Sequence, residues 1–249
     1  MSPKVTVAIP ARMASTRLPE KVLADIGGHP LLWHVTHRVL GMKHRCPVVV
    51  LTDSGRVEEV VRSWGVDVLL TDPNCRSGTE RIASVVHRLG GDWIFNVQGD
   101  EPFIDPGLLD EMVERVEEEK ADILTPVFKI QEEADLSRPS VVKVVLGQEN
   151  RILYFSRSPI PFVRDVPPGK WLQKTPFWGH VGVYGHRRSV LEAFHTWPET
   201  SLERAESLEQ LRWLAAGQIV RAHVTTYRGM AVDTPEDLEK VRRRWEKER

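Results

Sequence analysis

Cysteine is nearly missing from this 249-residue chain: Cys46 and Cys75 are too few and too unpatterned for a disulfide framework or a thiolate metal site, so a reducing compartment is expected. Long apolar runs are missing too, and Met1-Ser2-Pro3-Lys4 leads straight into a run of strand length, far short of a membrane span or a signal-peptide core. The expectation is therefore a cytoplasmic protein with no membrane segment. An excess of one charge is also lacking: 34 Lys and Arg stand against 35 Asp and Glu, a formal net charge of -1. That balance gives no broad field for nucleic acid or a membrane surface, and any anion site must come from local clustering. No internal repeat and no low-complexity segment is visible. What remains, 41% hydrophobic and 28% charged residues, is an ordinary globular composition, long enough for one large α/β domain or a main domain with a smaller inserted lobe.

Short β-branched runs alternate with helical patterns in the first half of the chain. Val5 to Ile9, Val48 to Leu51, Val66 to Leu70 and Trp93 to Val97 read as strands. Between them Leu31, Leu32, Val35 and Val39 recur at helical spacing, as do Val57, Val60, Val61 and Trp64, and then Ile82, Val85, Val86 and Leu89. This alternation predicts a mostly parallel sheet with helices on both faces. A further helix is expected from Pro106 to about Lys120, with the acidic run at 117–119 on a solvated face. After Ile123 to Val127 the grammar changes: strands at Val141 to Leu146, Ile152 to Phe155 and Val181 to Tyr184 are separated by Pro- and Gly-rich loops, which favours an inserted mixed-sheet lobe. The Pro-rich stretch from Pro159 to Phe177 is long enough for a lid or a dimer arm. A helix from Ser201 to Leu214, a strand from Ile219 to Val224 and a basic helix from Pro235 onward complete the chain.

Four constellations carry chemistry. The first, Pro10 to Lys21, places Arg12, Arg17 and Lys21 with Ser15 and Thr16 in one strand-exit loop, at the sheet edge where open α/β folds bind ligands. Arginine offers a planar fork and lysine a mobile point charge, a combination that suits a polyphosphate. The second, Arg76 to Arg81, reads as a helix cap by Ser77 or Thr79, or as a cap that also touches a ligand through Gly78. In the third, Gln98-Gly99-Asp100-Glu101, an apolar strand ends in an amide, a glycine and two carboxylates, and carboxylates at such an edge suit Mg²⁺. The fourth, Asp233-Thr234-Pro235-Glu236-Asp237, is by itself a helix start. Paired with Asp100, Asp233 would complete a two-carboxylate clamp around a metal ion and a triphosphate.

Eight stretches in order, IPARMASTRLPEK at 9–21, RSGTER at 76–81, NVQGDEP at 96–102, VVKVV at 141–145, YFSRSPIPF at 154–162, HVGVYG at 180–185, SLEQLR at 207–212 and VDTPEDLE at 232–239, resemble the 3-deoxy-manno-octulosonate (Kdo) cytidylyltransferases over essentially the whole chain. The resemblance implies a Rossmann-like α/β nucleotidyltransferase fold with a nucleotide-binding domain at 1–129 and 218–249. It implies an inserted sugar-binding and dimerisation lobe at 130–217, and action as a homodimer. It further implies transfer of CMP from CTP to Kdo for lipopolysaccharide biosynthesis, with pyrophosphate released. Residue by residue, Arg12 and Lys21 would hold the triphosphate beside Ser15 and Arg17, and Ala11, Ser77, Gly78 and Thr79 would frame cytosine and ribose. Asp100 and Asp233 would bind Mg²⁺, and Arg12, Lys21, Asp100 and Asp233 form the catalytic set. Gln98, Arg157, Arg164, His180, Tyr184, Glu209 and Gln210 would form the sugar-acid pocket, with Arg157 as a fork for the sugar carboxylate. Two positions depart from the family pattern: Glu20 stands where glycine is common, and Arg76 where glutamine is. The alternatives are a cytidylyltransferase for another ulosonic or sialic acid or 8-amino Kdo, and a non-catalytic nucleotide-binding protein. Intact Lys21, Asp100 and Asp233 speak against the last.

Overall fold

The computed structural model describes residues 4–15, 17–116 and 120–248. The expected acidic face at 117–119 and Thr16 of the opening loop lie outside the described residues. The chain divides into a first unit, Met1–Glu117 with Gly185–Phe194 and Gly229–Arg249, and a second, Glu118–Tyr184 with His195–Arg228. Relative to a lobe expected at 130–217, the strands near 123 and 220 go with the second unit, and 185–194 return to the first.

In the first unit four parallel strands lie in the order Asp67–Leu70, Val48–Thr52, Val5–Pro10, Trp93–Val97. Val5–Pro10 and Trp93–Val97 are buried at every position, which is why they read as continuous apolar runs rather than as alternation. Ala8, Leu51 and Ile94 on one face pack with Ile82, Val85, Val86, Leu89 and Leu191, while Val7, Ile9, Val50 and Phe95, also fully buried, alternate with them. The stripe at 82–89 is not one helix: Gly78–Ser84 ends at Val85 (φ -122°, ψ 11°) and a short 3₁₀ turn, Val86–Arg88, follows. Arg188 holds that turn by donating to the carbonyls of Gly91, Val86 and Leu89 at 2.8, 2.7 and 2.5 Å. The helix at Arg188–Ala193 was not expected from the sequence, being only six residues long.

The second unit is a mixed sheet. Ile123–Lys129 pairs antiparallel with Trp178–His180, which pairs antiparallel with Lys143–Leu146 and that in turn with Ile152–Ser156. Val220–Thr225 joins the other edge of Ile123–Lys129 in parallel. The strand expected at 181–184 is two strands, Trp178–His180 and Val183–Arg187. The helix expected at 201–214 is also two, Ser201–Glu206 and Gln210–Ala215, because Ser207 adopts a left-handed conformation with φ 49°. Within the Pro159–Phe177 loop Trp171 is buried, stacks on Phe177 and donates its indole N–H to the Val166 carbonyl at 2.8 Å.

Candidate active site

The Val5–Pro10 strand delivers its loop to the carboxyl edge of the parallel sheet. Two bonds set the loop's course: Ala11 N–H donates to the Leu51 carbonyl at 2.8 Å, and Met13 N–H to Asp53 Oδ1 at 2.9 Å. The other oxygen of Asp53 accepts from Arg81 at 3.0 Å, and Arg81 also donates to the Thr71 hydroxyl. The side chains of Arg81 and Asp53 are only 2% and 9% exposed, so removing either leaves an uncompensated charge under the loop. Asp53 was missed in the sequence. Its signal was an acidic residue two positions after the apolar run Val48 to Leu51, at the same sheet edge as the loop.

Arg12, Ser15, Arg17 and Lys21 line one cleft with Arg76, Ser77, Gly78, Arg81, Gln98, Asp100 and Asp233. Four chain segments far apart in sequence thus meet there. At its centre the Lys21 ammonium donates to Asp100 Oδ2 at 2.6 Å and to Asp233 Oδ1 at 3.1 Å, and Arg17 reaches Asp233 at 3.0 Å. Burial works against the charge of Lys21, but the two carboxylates outweigh it and hold the ammonium above its ordinary range. Asp233 is free for this role because the neighbouring groups do the capping. Asp237 and Thr234 exchange bonds of 3.2 Å between each backbone N–H and the other's side chain, closing the start of helix Pro235–Glu248.

Ser77 is both a helix cap, accepting Glu80 N–H at 3.0 Å, and a wall of the cleft. Gly78 is required by close approach: a Cβ there would stand 2.9 Å from Pro10 Cγ and 3.2 Å from the Gln98 amide oxygen. Ala11 and Thr79 sit beneath the cleft, 1% and 2% exposed, rather than on its surface. Gln98 donates to Asn96 Oδ1 at 2.8 Å, while Asn96 donates to the Thr79 hydroxyl at 3.4 Å. This buried relay fixes the Gln98 amide and ties the strand Trp93–Val97 to the helix at 78–84.

The remaining residues expected at the sugar acid belong to the second unit. His180 and Tyr184 are neighbours, ring centroids 5.2 Å apart, with Phe155 and Trp213 against them. Thr125 Oγ1 donates to the Val183 carbonyl at 2.7 Å, so it accepts from His180 Nε2 at 2.9 Å; the imidazole proton then sits on Nε2 and Nδ1 is an acceptor. Burial pushes the His180 imidazolium down to about 3, leaving a neutral ring. Burial, and then the carboxylate of Glu209, hold the Tyr184 hydroxyl well above its ordinary range, so it too stays neutral. Gln210 is buried at 5% exposure. Arg157 donates to the carbonyls of Glu206, Pro139 and Ser207 at 2.6, 3.0 and 3.1 Å, and its own N–H meets the Glu206 carboxylate at 2.9 Å. Arg164 lies on the Pro-rich loop with its side chain 88% exposed, paired with Asp165.

Residues 6–224 match the cytidylyltransferase family model. A 3-deoxy-manno-octulosonate cytidylyltransferase from Geobacter sulfurreducens is 44% identical over 247 residues, covering 95% of this chain and 97% of the relative. One from Porphyromonas gingivalis is 39% identical, covering 97% and 96%. The chain belongs to the 3-deoxy-manno-octulosonate cytidylyltransferase family. A solved CMP:2-keto-3-deoxy-manno-octonic acid synthetase, complexed with CTP, superposes with a TM-score of 0.92 at 39% identity, covering 99% of this chain and 100% of that one. The Rossmann-like α/β nucleotidyltransferase fold expected from the sequence is therefore the fold observed. The departures from the cytidylyltransferase pattern have physical readings. Glu20 adopts φ 54°, ψ 26°, a conformation that costs glycine nothing, and its carboxylate turns to Arg56 at 2.8 Å on the exposed surface. Arg76 lines the cleft and bonds Glu80 at 3.3 Å.

Proposed function

We propose that this cytidylyltransferase joins CTP and Kdo to give CMP-Kdo and pyrophosphate, with Mg²⁺ held by Asp100 and Asp233. The observation that carries the reading is the meeting of those two carboxylates on one cation position, the Lys21 ammonium, inside an arginine-lined cleft. A cation already sits well between them, and Mg²⁺ asks for no more than one or two protein carboxylates when substrate phosphates supply further oxygens.

In the reaction the 2-hydroxyl oxygen of Kdo forms a bond to the α-phosphorus of CTP and loses its proton, while the bond from that phosphorus to the bridging oxygen breaks and pyrophosphate departs. A bound divalent ion supplies charge neutralisation on the phosphoryl oxygens. Arg12, Arg17 and Lys21 neutralise the leaving pyrophosphate and align it, which is positioning and electrostatic work rather than covalent catalysis. Ser77, with its loop held close by Gly78, frames the nucleoside. A neutral imidazole presenting Nδ1 and a neutral tyrosine hydroxyl suit the hydroxyls of a sugar. The three carbonyl bonds of Arg157 leave one N–H on each terminal nitrogen, the end-on fork a sugar carboxylate would take. The family resemblance extends the reading to a cytoplasmic homodimer serving lipopolysaccharide biosynthesis.

Pyrophosphate release with CTP, Mg²⁺ and a panel of 2-keto sugar acids, with the other nucleotides as controls, tests the proposal. Turnover with CTP and Kdo that disappears in EDTA is expected. Activity with sialic acid but not Kdo would replace the acceptor, and no nucleotide turnover with any acid would end the reading. Light scattering tests the dimer.

A further inference from the structure

The residue after Asp100 is also a carboxylate, and it is buried: Glu101 is 6% exposed. The two neighbours point to different partners. Asp100 turns to Lys21, whereas Glu101 Oε2 accepts the Met230 N–H at 2.9 Å. Two residues further on, Val232 N–H donates to the Asp100 carbonyl at 3.0 Å. These bonds lay the 230–232 segment along residues 100–101, and Asp233 is the next residue of that segment. Gly229 belongs to the same arrangement, since a Cβ there would lie 2.8 Å from Glu101 Oε1 and 3.1 Å from Oε2. A buried carboxylate is costly unless something holds it, and here it is spent on backbone that carries half of the proposed metal clamp.

We infer that Glu101 is a positioning residue: by holding the Met230 N–H, with the backbone brought close at Gly229, it sets where the Asp233 carboxylate stands relative to Asp100, and so sets the affinity of the pair for a divalent cation. Glu101 itself is not among the residues that line the cleft. The inference rests on the Mg²⁺-dependent reading given above. Its sequence trace was the second acid of Gln98-Gly99-Asp100-Glu101, which is indistinguishable by composition from the first.

The experiment measures CTP binding calorimetrically without any sugar, in EDTA and then at rising Mg²⁺, for the wild-type chain, Glu101→Ala, Glu101→Gln and Gly229→Ala. Glu101→Ala is expected to bind CTP in EDTA within about twofold of wild type while needing about tenfold more Mg²⁺ for the same tightening, as loss of a supporting partner does at metal sites. Gly229→Ala should behave likewise. Glu101→Gln keeps an oxygen acceptor for Met230 N–H and should restore the wild-type Mg²⁺ requirement to within about threefold. Hydrogen exchange gives a second readout, with the Met230 amide losing protection in Glu101→Ala and keeping it in Glu101→Gln. An unchanged Mg²⁺ requirement in Glu101→Ala, or Glu101→Gln as impaired as Glu101→Ala, overturns the positioning role and leaves the reaction standing. A wild-type chain whose CTP affinity does not respond to Mg²⁺ overturns both.

Discussion

Lys21 illustrates how one side chain can join separate segments of a site. Its ammonium is surrounded by carboxylates from two other segments, and their attraction wins over the burial that disfavours its charge. A lysine held above its ordinary range stays charged throughout the neutral region, and the clamp is lost only as pH rises through that elevated value. Replacing Lys21 with Met should raise the KM for CTP at least about tenfold, because a phosphate partner is lost and two carboxylates are left facing each other. Steady-state kinetics at fixed Kdo check this. Asp100→Asn should lower kcat by about a hundredfold or more, the scale on which loss of one preorganised electrostatic group is felt, with the melting temperature nearly unchanged. Near wild-type turnover in saturating Mg²⁺ would remove the metal role from Asp100. At this scale the sequence was legible wherever a charged residue sits directly at a strand exit, as with Arg12 and Asp100. It was not legible for the bonds of Asp53 and Glu101 to the Met13 and Met230 amides, which depend on where distant backbone packs.

Among elements, the paired helices Ser201–Glu206 and Gln210–Ala215 show what a single turn residue does. A continuous apolar and charged periodicity runs through 201–214, yet Ser207 bends the chain, and the two short helices are held by Arg212 donating to both oxygens of Glu203 at 2.8 and 2.5 Å. Glu203 is also the third residue of a capping box closed by Thr200. Both charged groups are almost fully buried, so the pair is costly to break and much less so to replace as a whole. Arg212→Met should cost about 3 kcal/mol, and the double variant Glu203→Met with Arg212→Met clearly less, because no charge is left stranded. Urea unfolding of the wild-type chain and the two variants checks it. Periodicity found the helices Leu31–Leu40 and Gly55–Ser63, missed the six-residue Arg188–Ala193, and could not find the break at Ser207, because a left-handed serine is a response to the packing around it rather than to its neighbours in sequence.

For the whole molecule, protonation sets the working range. Burial pushes both His180 and His186 down to about 3, against an ordinary value of 6.5, so the folded chain keeps them neutral where the unfolded chain would bind protons. Between those values unfolding takes up protons, and stability therefore falls as pH drops from about 6.5 towards 3. The urea midpoint should be lower at pH 5 than at pH 7.5, and imidazole signals from these two residues should not titrate between pH 5 and 8. The amino-acid sequence alone determined the alternation of strand and helix, the change to a mixed sheet in the middle of the chain and the cationic character of the opening loop, since each depends on residue types a few positions apart. Only the tertiary structure decided that Asp233 serves the cleft while Thr234 and Asp237 cap the helix. It also decided where the units divide and which backbone amides Asp53 and Glu101 hold. Those outcomes depend on groups separated by tens to hundreds of residues, and their distances exist only once the chain has packed.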